Sequence, residues 1–195
     1  MTHMRKLILL NRISIDGYFA SLNDAAFGMD WFVHDPEVDI AVRAGSGPRP
    51  DTLILGGVTY RGFERSWTPF LRDPNAPPAM KAVAEELTAM TKIVFSRRRD
   101  PIEWANTKRF DEAPADVVRR LKAEAGADMM IMGSGTICSN LANAGLIDEF
   151  VFIVTPVVAG EGKPLFDDVR RFGLTLQEAR PFASGNVVLR YALQP

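Results

Sequence analysis

The stretch Met129–Ile137, with the sequence MMIMGSGTI, joins a short apolar run to a glycine-rich turn. The apolar run predicts a buried strand, and Gly133-Ser134-Gly135 predicts a tight turn into a helix. In that arrangement, the first backbone N–H groups of the helix and the positive end of its dipole face outward beyond the strand, where they can bind a phosphate. A tight turn that binds nothing explains the same pattern, so the motif needs support from other segments.

Two further segments repeat this arrangement. Gly56–Tyr60 follows the apolar run Asp51–Leu55, and Thr59 there can offer a hydroxyl and an N–H to a phosphate or can cap its own helix. Ser96–Arg99 follows the apolar run Lys92–Phe95, and its arginines can pair with a dianionic phosphate or form a solvated basic loop. Because the carboxyl ends of strands in an α/β sheet meet at one edge, the three loops predict a ligand with a pyrophosphate and one more phosphate. That ligand is NADPH rather than NADH, although the GxGxxG fingerprint is missing.

The rest of the chain alternates apolar strand-like runs with helical periodicity. Leu7–Leu10 and Phe150–Thr155 are near-continuous apolar runs, typical of strands buried on both faces, whereas Val187–Leu193 alternates and predicts an edge or antiparallel strand. Helices are predicted to begin at Pro36, after Pro77-Pro78, at Pro114 and near Thr136. This alternation predicts an α/β fold, and the 195 residues fit one domain over 1–195.

Composition excludes several classes of protein. The net charge of -1 provides no field that would attract nucleic acid or anionic lipid, and no apolar run is long enough to cross a bilayer. The single cysteine, Cys138, rules out an intramolecular disulfide and a cysteine-based zinc site, and we expect no metal. A cytoplasmic enzyme or binding protein remains.

Segments along almost the whole chain resemble the dihydrofolate reductase-like superfamily. The resemblance is closest to the reductase domain at the C-terminus of the bifunctional riboflavin-biosynthesis deaminase-reductase and to its stand-alone relatives. The matching segments, in the order of the family, are Ser14–Ala20, Gly56–Tyr60, Ser96-Arg97, Gly133–Thr136, Leu146–Glu149 and Thr155–Phe166.

The resemblance implies a dihydrofolate reductase-like α/β fold: a mostly parallel central sheet with an antiparallel C-terminal strand and helices on both faces. It also implies a homodimer, for which the apolar Val151–Val158 and Phe166 are weak support, and a cleft that binds NADPH. The residues implied to contact the cofactor are Phe19, Ala20, Gly57, Thr59, Tyr60, Ser96, Arg97, Gly133, Ser134, Gly135, Thr136 and Ile137.

Within this set, Gly133–Ile137 and Gly57–Tyr60 would hold the pyrophosphate, Ser96-Arg97 the 2′-phosphate, and Phe19-Ala20 the nicotinamide. Gly57 stands where many relatives carry an arginine, which leaves Arg97, Arg98 and Arg61 as candidates to replace its charge.

Hydride transfer needs positioning and sometimes a proton donor. Asp16 and Glu37 are the catalytic candidates; Asp16 is also an ordinary Asp-Gly turn residue, and Glu37 an ordinary first-turn acid. Asp35 is better explained as the N-cap of the helix that begins at Pro36. Trp31, Trp67 and Thr155 are the candidates for contact with a substrate, with core packing as the alternative for the two tryptophans.

The sequence therefore predicts an NADPH-dependent reductase that transfers a hydride to a small heterocyclic or ribosylaminopyrimidine-like substrate. One alternative is dihydrofolate reduction. Another is a module that binds NADPH, as a sensor, without catalysis. A flavin-binding protein is a weaker third option.

Overall fold

A mostly parallel sheet forms the centre of the protein. The structure is a computed structural model that describes residues 4–23, 28–45 and 49–194. In these residues eight strands form the main sheet, in the order β5-β4-β3-β6-β1-β7-β10-β9, and β2 pairs with β8 in a small second sheet. The strands are β1 Leu7–Ile13, β2 Tyr18–Ala20, β3 Thr52–Gly56, β4 Thr91–Phe95, β5 Thr107–Phe110, β6 Met129–Ile131, β7 Glu149–Val154, β8 Lys163–Pro164, β9 Leu174–Pro181 and β10 Val187–Leu193.

Helices cover both faces of the sheet. They are α1 Pro36–Ala44, α2 Gly57–Arg72, α3 Pro78–Ala89, α4 Pro114–Ala123 and α5 Gly135–Asn143. Side chains of each strand alternate between the faces. In β3, for example, Leu53 and Leu55 pack with α2 and α3, whereas Ile54 packs with α4 and α5. The first helix packs on the same side as α2 and α3, where Val38 and Val42 meet Ile8 of β1.

In the order of the sheet, β5, β4, β3, β6, β1 and β7 are all parallel, and β10 is antiparallel to both β7 and β9. The predicted α/β class, the mostly parallel sheet, the antiparallel C-terminal strand and the helices on both faces are confirmed. Because the loops after β1, β3, β4, β6 and β7 all leave the same edge, the segments expected to bind a cofactor lie along one edge of the sheet.

Three details differ from the sequence analysis. Strand β9 was not expected; it pairs with the antiparallel strand Val187–Leu193 on its outer side and places that strand inside the sheet. The short strand β5, which forms the other edge, was not expected either. The apolar side chains Val151–Ile153 of β7 are buried in the core, so they offer no surface for a second subunit.

Candidate functional site

Three loops meet at the carboxyl edge of neighbouring strands β4, β3 and β6. Gly57 packs so closely on Ser96 that a Cβ at position 57 would lie 2.7 Å from Ser96 Oγ and 2.9 Å from its Cβ. Gly133 packs in the same way on Thr59, with its own Cβ position 3.0 Å from Thr59 Cγ2. The three segments that the sequence analysis singled out are therefore in direct contact.

The helices that begin at two of these loops have open N-termini. Neither Gly56 at the start of α2 nor Ser134 at the start of α5 makes a side-chain capping hydrogen bond, and neither helix has an acidic residue in its first turn. The N–H groups of Gly135 and Thr136 have no acceptor in the described part of the chain. Free N–H groups and two positive helix ends thus face the same edge, an arrangement that favours an anion.

The turn into α5 has an unusual backbone. Gly133 and Ser134 both have positive φ, 73° and 62°, and for Ser134 this left-handed conformation is unfavourable without support from its surroundings. The neighbouring Gly133 is held from β1 and α5: its N–H donates to Asn11 Oδ1 at 3.1 Å, and Cys138 Sγ lies 3.7 Å from its oxygen. Sequence analysis missed Asn11, although a lone amide inside the apolar run of β1 was a usable signal.

Cys138 itself is enclosed in the core. Burial raises the pKa of its thiol to about 12, so it is protonated at neutral pH. Its S–H group is therefore a packing and weak hydrogen-bonding group.

Phe19 lies at the far side of the same turn. A Cβ on Gly135 would lie 2.5 Å from the Pro164 oxygen of β8 and 3.2 Å from Phe19 Cε1. Phe19 and Ala20 belong to β2, which pairs with β8. The expected nicotinamide-side residues are therefore adjacent to the glycine-rich turn, with Ala20 buried and Phe19 half-buried.

The loop after β4 carries the free positive charge of the site. Arg97 and Arg98 are exposed and form no ion pair in the described residues, whereas Arg99 lies 3.8 Å from Asp111 and Arg61 pairs with Asp100 at 3.0 Å. The Arg98 N–H donates to Ser96 Oγ at 3.2 Å, which fixes the start of the loop. Of the three arginines considered as replacements at position 57, Arg61 is thus already paired.

Two expected cofactor residues direct their side chains into the protein. Tyr60 is buried, donates its hydroxyl to Glu64 Oε1 at 2.6 Å and accepts the Trp104 N–H at 3.2 Å. Burial, together with the Glu64 carboxylate, raises the pKa of Tyr60 to about 12. Ile137 is part of the core. The side chains of these two residues therefore do not face the edge of the sheet, and the Ile137 N–H already donates to the Ser134 oxygen at 2.9 Å.

Asp16 fastens one loop to another. Its carboxylate accepts the backbone N–H groups of Ala159 at 3.0 Å and Gly160 at 2.8 Å. Hydrogen bonding to Ser14, and then to the Ala159 N–H, lowers the pKa of Asp16 to about 2. The group is ionised at neutral pH and has no proton to donate, so the geometry fits the turn role rather than the catalytic one.

Glu37 and Trp31 flank the start of α1. Asp35 is the N-cap of this helix, as expected, because its Oδ1 accepts the Glu37 N–H at 2.9 Å. Glu37 itself is exposed in the first turn. Trp31 is half-buried against Phe32, with ring centroids 4.3 Å apart, and its Nε1 is enclosed without a partner among the described residues.

The structure does not bring Trp67 and Thr155 to the site. Trp67 is ten residues after Gly57, which is about 15 Å along α2, and it packs on the core beside Phe70. Thr155 is fully buried, and its Oγ1 lies 3.2 Å from Asn186 Oδ1. Thr155 is thus enclosed, whereas Trp67 is half-buried and lies away from the three loops, so its contact with a substrate stays a prediction.

The described residues contain no group of three or more side chains that could hold a metal ion. Among the same residues, no helix has the length and apolarity needed to span a membrane.

The sequence matches known proteins along most of its length. The family model of the RibD C-terminal domain matches residues 5–189. The uncharacterized protein YyaP of Bacillus subtilis is 30% identical over 192 residues, which are 96% of this chain and 94% of YyaP.

Solved structures share the fold at low sequence identity. The deaminase/5-amino-6-(5-phosphoribosylamino)uracil reductase of Thermotoga maritima superposes with a TM-score of 0.66 and 14% identity, over 98% of this chain and 57% of that one. Dihydrofolate reductase of Enterococcus faecalis, solved with NADP(H), gives a TM-score of 0.64 and 14% identity over 100% of both chains. At these identities the likeness shows the fold, which is dihydrofolate reductase-like.

Proposed function

The chain belongs to the RibD C-terminal domain family, and on that premise we propose that it is an NADPH-dependent reductase. Its substrate would be a small heterocyclic or ribosylaminopyrimidine-like molecule. The family supports a reductase of the riboflavin type; the cofactor and the substrate are the proposal.

One observation supports this cofactor: at one edge of the sheet, two helices whose first turns hold no acid and whose N-caps make no side-chain bond lie beside Arg97 and Arg98, which form no ion pair in the described residues. NADPH has a pyrophosphate for the helix ends and a 2′-phosphate for the arginines, so its charges fit these donors. We assign the pyrophosphate to Gly57, Thr59, Tyr60, Gly133, Ser134, Gly135, Thr136 and Ile137, the 2′-phosphate to Ser96 and Arg97, and the nicotinamide side to Phe19 and Ala20.

When bound, the cofactor supplies the hydride. The chain's own part would be to bind the phosphates and to hold the nicotinamide beside β2, near the start of α1. There Trp31 offers an aromatic surface, and Glu37 is the remaining candidate for a proton donor. Asp16 holds the Ala159-Gly160 loop in place and takes no part in proton transfer.

The test is nucleotide binding, measured by nicotinamide fluorescence with NADPH and NADH. We expect the wild type to prefer NADPH and Arg97→Ala to lose roughly 10- to 100-fold in NADPH affinity, with NADH affinity unchanged, because a charge-assisted bond to a phosphate is lost. Arg99→Ala is the matched control: it removes the same charge two residues away, from a side chain that already faces Asp111.

Three outcomes separate the proposals. Failure of the wild type to bind either nucleotide would contradict both the reductase and the binding module. Binding without turnover of any pyrimidine or pteridine acceptor would favour the module, and turnover of dihydrofolate would favour dihydrofolate reduction.

We also propose a homodimer, on the basis of the family resemblance. Light scattering should give twice the chain mass of 21.6 kDa; a monomeric mass would contradict it.

A further inference from the structure

Asn11 is an amide at a buried position of β1, beside the turn into α5. Only 8% of the residue is exposed, and its Oδ1 accepts the Gly133 N–H at 3.1 Å. The pairing of Leu9 with Ile131 places Asn11 level with Gly133 on the neighbouring strand. By alternation along β1, Asn11 shares a face with Leu7 and Leu9, the face on which α5 packs.

The hydrogen bond to Gly133 fixes which way this amide points. A backbone N–H can only donate, so the atom that faces Gly133 must be the carbonyl oxygen, and the NH2 group must point the other way. In the described part of the chain Nδ2 donates to no acceptor. Enclosed nitrogens without a partner occur at Arg12, Trp31, Arg109 and Arg190; the Asn11 amide is not one of them, so its NH2 group reaches the surface.

Two independent sets of donors therefore lie beside the same turn. One is the N-terminus of α5, with the free N–H groups of Gly135 and Thr136. The other is the NH2 group of Asn11, a residue that is more than nine-tenths buried and whose amide is oriented by the hydrogen bond to Gly133. Because this NH2 group reaches the surface and has no acceptor among the described residues, it is free to donate to an acceptor on a bound ligand.

We propose that Asn11 is a ligand-binding residue: its Nδ2 donates to an oxygen of the phosphate group that the N-terminus of α5 binds. Through Oδ1 the same side chain accepts the Gly133 N–H. One amide would therefore hold the turn in its conformation and also bind the ligand. The inference rests on the proposed function, in which that phosphate is the pyrophosphate of NADPH.

Asn11→Asp tests the contact with little change in shape. The carboxylate keeps an oxygen for the Gly133 N–H but replaces the NH2 donor with a negative charge. We expect the affinity for NADP+ and for inorganic pyrophosphate, measured by calorimetry at about pH 8, to fall roughly 10- to 100-fold. Asn140→Asp is the matched control, because it adds the same charge at an exposed position of α5 beyond the first turn and should bind like the wild type.

Binding measured over a range of pH distinguishes a direct contact between residue 11 and the phosphate from an effect on the conformation of the turn. An aspartate beside a phosphate has a raised pKa, so the loss in Asn11→Asp, relative to the wild type at the same pH, should shrink towards about pH 5.5 as the carboxyl becomes a donor. A loss that stays constant with pH would overturn the proposal, as would binding within about twofold of Asn140→Asp. Thermal unfolding of each variant checks that it is folded.

Pyrophosphate keeps this test distinct from that of the proposed function. If the wild type binds pyrophosphate but not NADP+ or NADPH, the NADPH proposal fails, and the Asn11 contact is still judged on pyrophosphate. If the wild type binds neither, both fail.

Discussion

Helices α1 and α5 begin at the same edge of the sheet, but their first N–H groups are used in opposite ways. At α1 the chain supplies its own anion: Asp35 caps the helix, Ser184 donates to Asp35 Oδ2 at 2.5 Å, and Glu37 and Asp39 lie in the first turn. At α5 the N-cap is Ser134 in a left-handed conformation, with no capping bond from its side chain and no acid in the first turn of the helix. The fold can cap a helix at this edge, so the open end of α5 is a specific property of that position.

The same contrast extends to the loops. The N–H groups of Ala159 and Gly160 are used by the Asp16 carboxylate, whereas those of Gly135 and Thr136 find no acceptor among the described residues. Donors already bound to a carboxylate of the chain stabilise the fold, and donors without such a partner can bind a ligand. The contrast therefore favours a structural role for Asp16 and Asp35, and it supports the proposed phosphate binding at the turns of Gly57 and Gly133.

The largest expected effect comes from giving α5 an acid of its own. Thr136 is exposed in the first turn, and Thr136→Asp should weaken NADPH binding on the order of 100-fold, because the carboxylate repels the phosphate and takes up the free N–H groups. The melting temperature should stay constant or rise, since an acid stabilises a helix N-terminus. Fluorescence titration and thermal unfolding measure the two effects.

Thr136→Asn is its control. Asparagine has nearly the same shape as aspartate but no charge, so this variant should bind NADPH within roughly threefold of the wild type. If both variants bind equally well, the open end of α5 is not the phosphate site, and the contrast with α1 has no functional meaning.

The opposite effect is expected at α1. Asp35→Ala removes the cap and the acceptor for Ser184, and should lower the melting temperature by a few degrees while NADPH affinity is unchanged. Asp35→Asn retains a capping oxygen and should recover most of the loss. A large change in NADPH affinity with Asp35→Ala would show that α1 belongs to the binding site.

The smallest effect concerns Asp16 and pH. Its pKa is about 2 in the folded protein, below the ordinary value of 3.8, so its stabilisation is complete above the ordinary value and is lost as the pH falls from there through 2. Urea unfolding should therefore show the wild type more stable than Asp16→Asn at neutral pH, with the difference disappearing across that acidic range. A difference that persists below the range would contradict the bonded carboxylate.

The parts of the fold that sequence predicts best are those where local pattern and burial coincide. Strands β3 and β6 are apolar and end in glycines, so both their existence and the turns that follow could be inferred. The edge strand β9 was missed because most of its side chains are exposed, which leaves no apolar pattern to detect. Strand β5 is four residues long and carries Lys108 and Arg109, so it too lacks an apolar pattern from which a strand could be predicted.

The site divides in a similar way. Backbone features, such as the start of α2 at Gly57 and the turn at Gly133 that leads into α5, can be predicted from the local sequence. The position of a side chain across the sheet does not: nothing near Trp67 indicates that it packs on the core, and nothing near Thr155 indicates that Asn186 encloses it. Asn11 is the reverse case, because its polarity was visible while its partner, 122 residues away in the chain, was not.

Because Gly57 packs closely on Ser96, the residue that position 57 can accept depends on the residue at position 96. An arginine at position 57 would have its Cβ within 2.9 Å of the Ser96 Cβ, a distance that carbon atoms do not tolerate. Gly57→Arg alone therefore requires Ser96 to shift, and Ser96→Gly in the same chain would remove that clash. If the two substitutions are made one at a time, Ser96→Gly comes first, and the intermediate protein has glycine at both positions 57 and 96. In that intermediate, the Arg97-Arg98 loop would supply the positive charge.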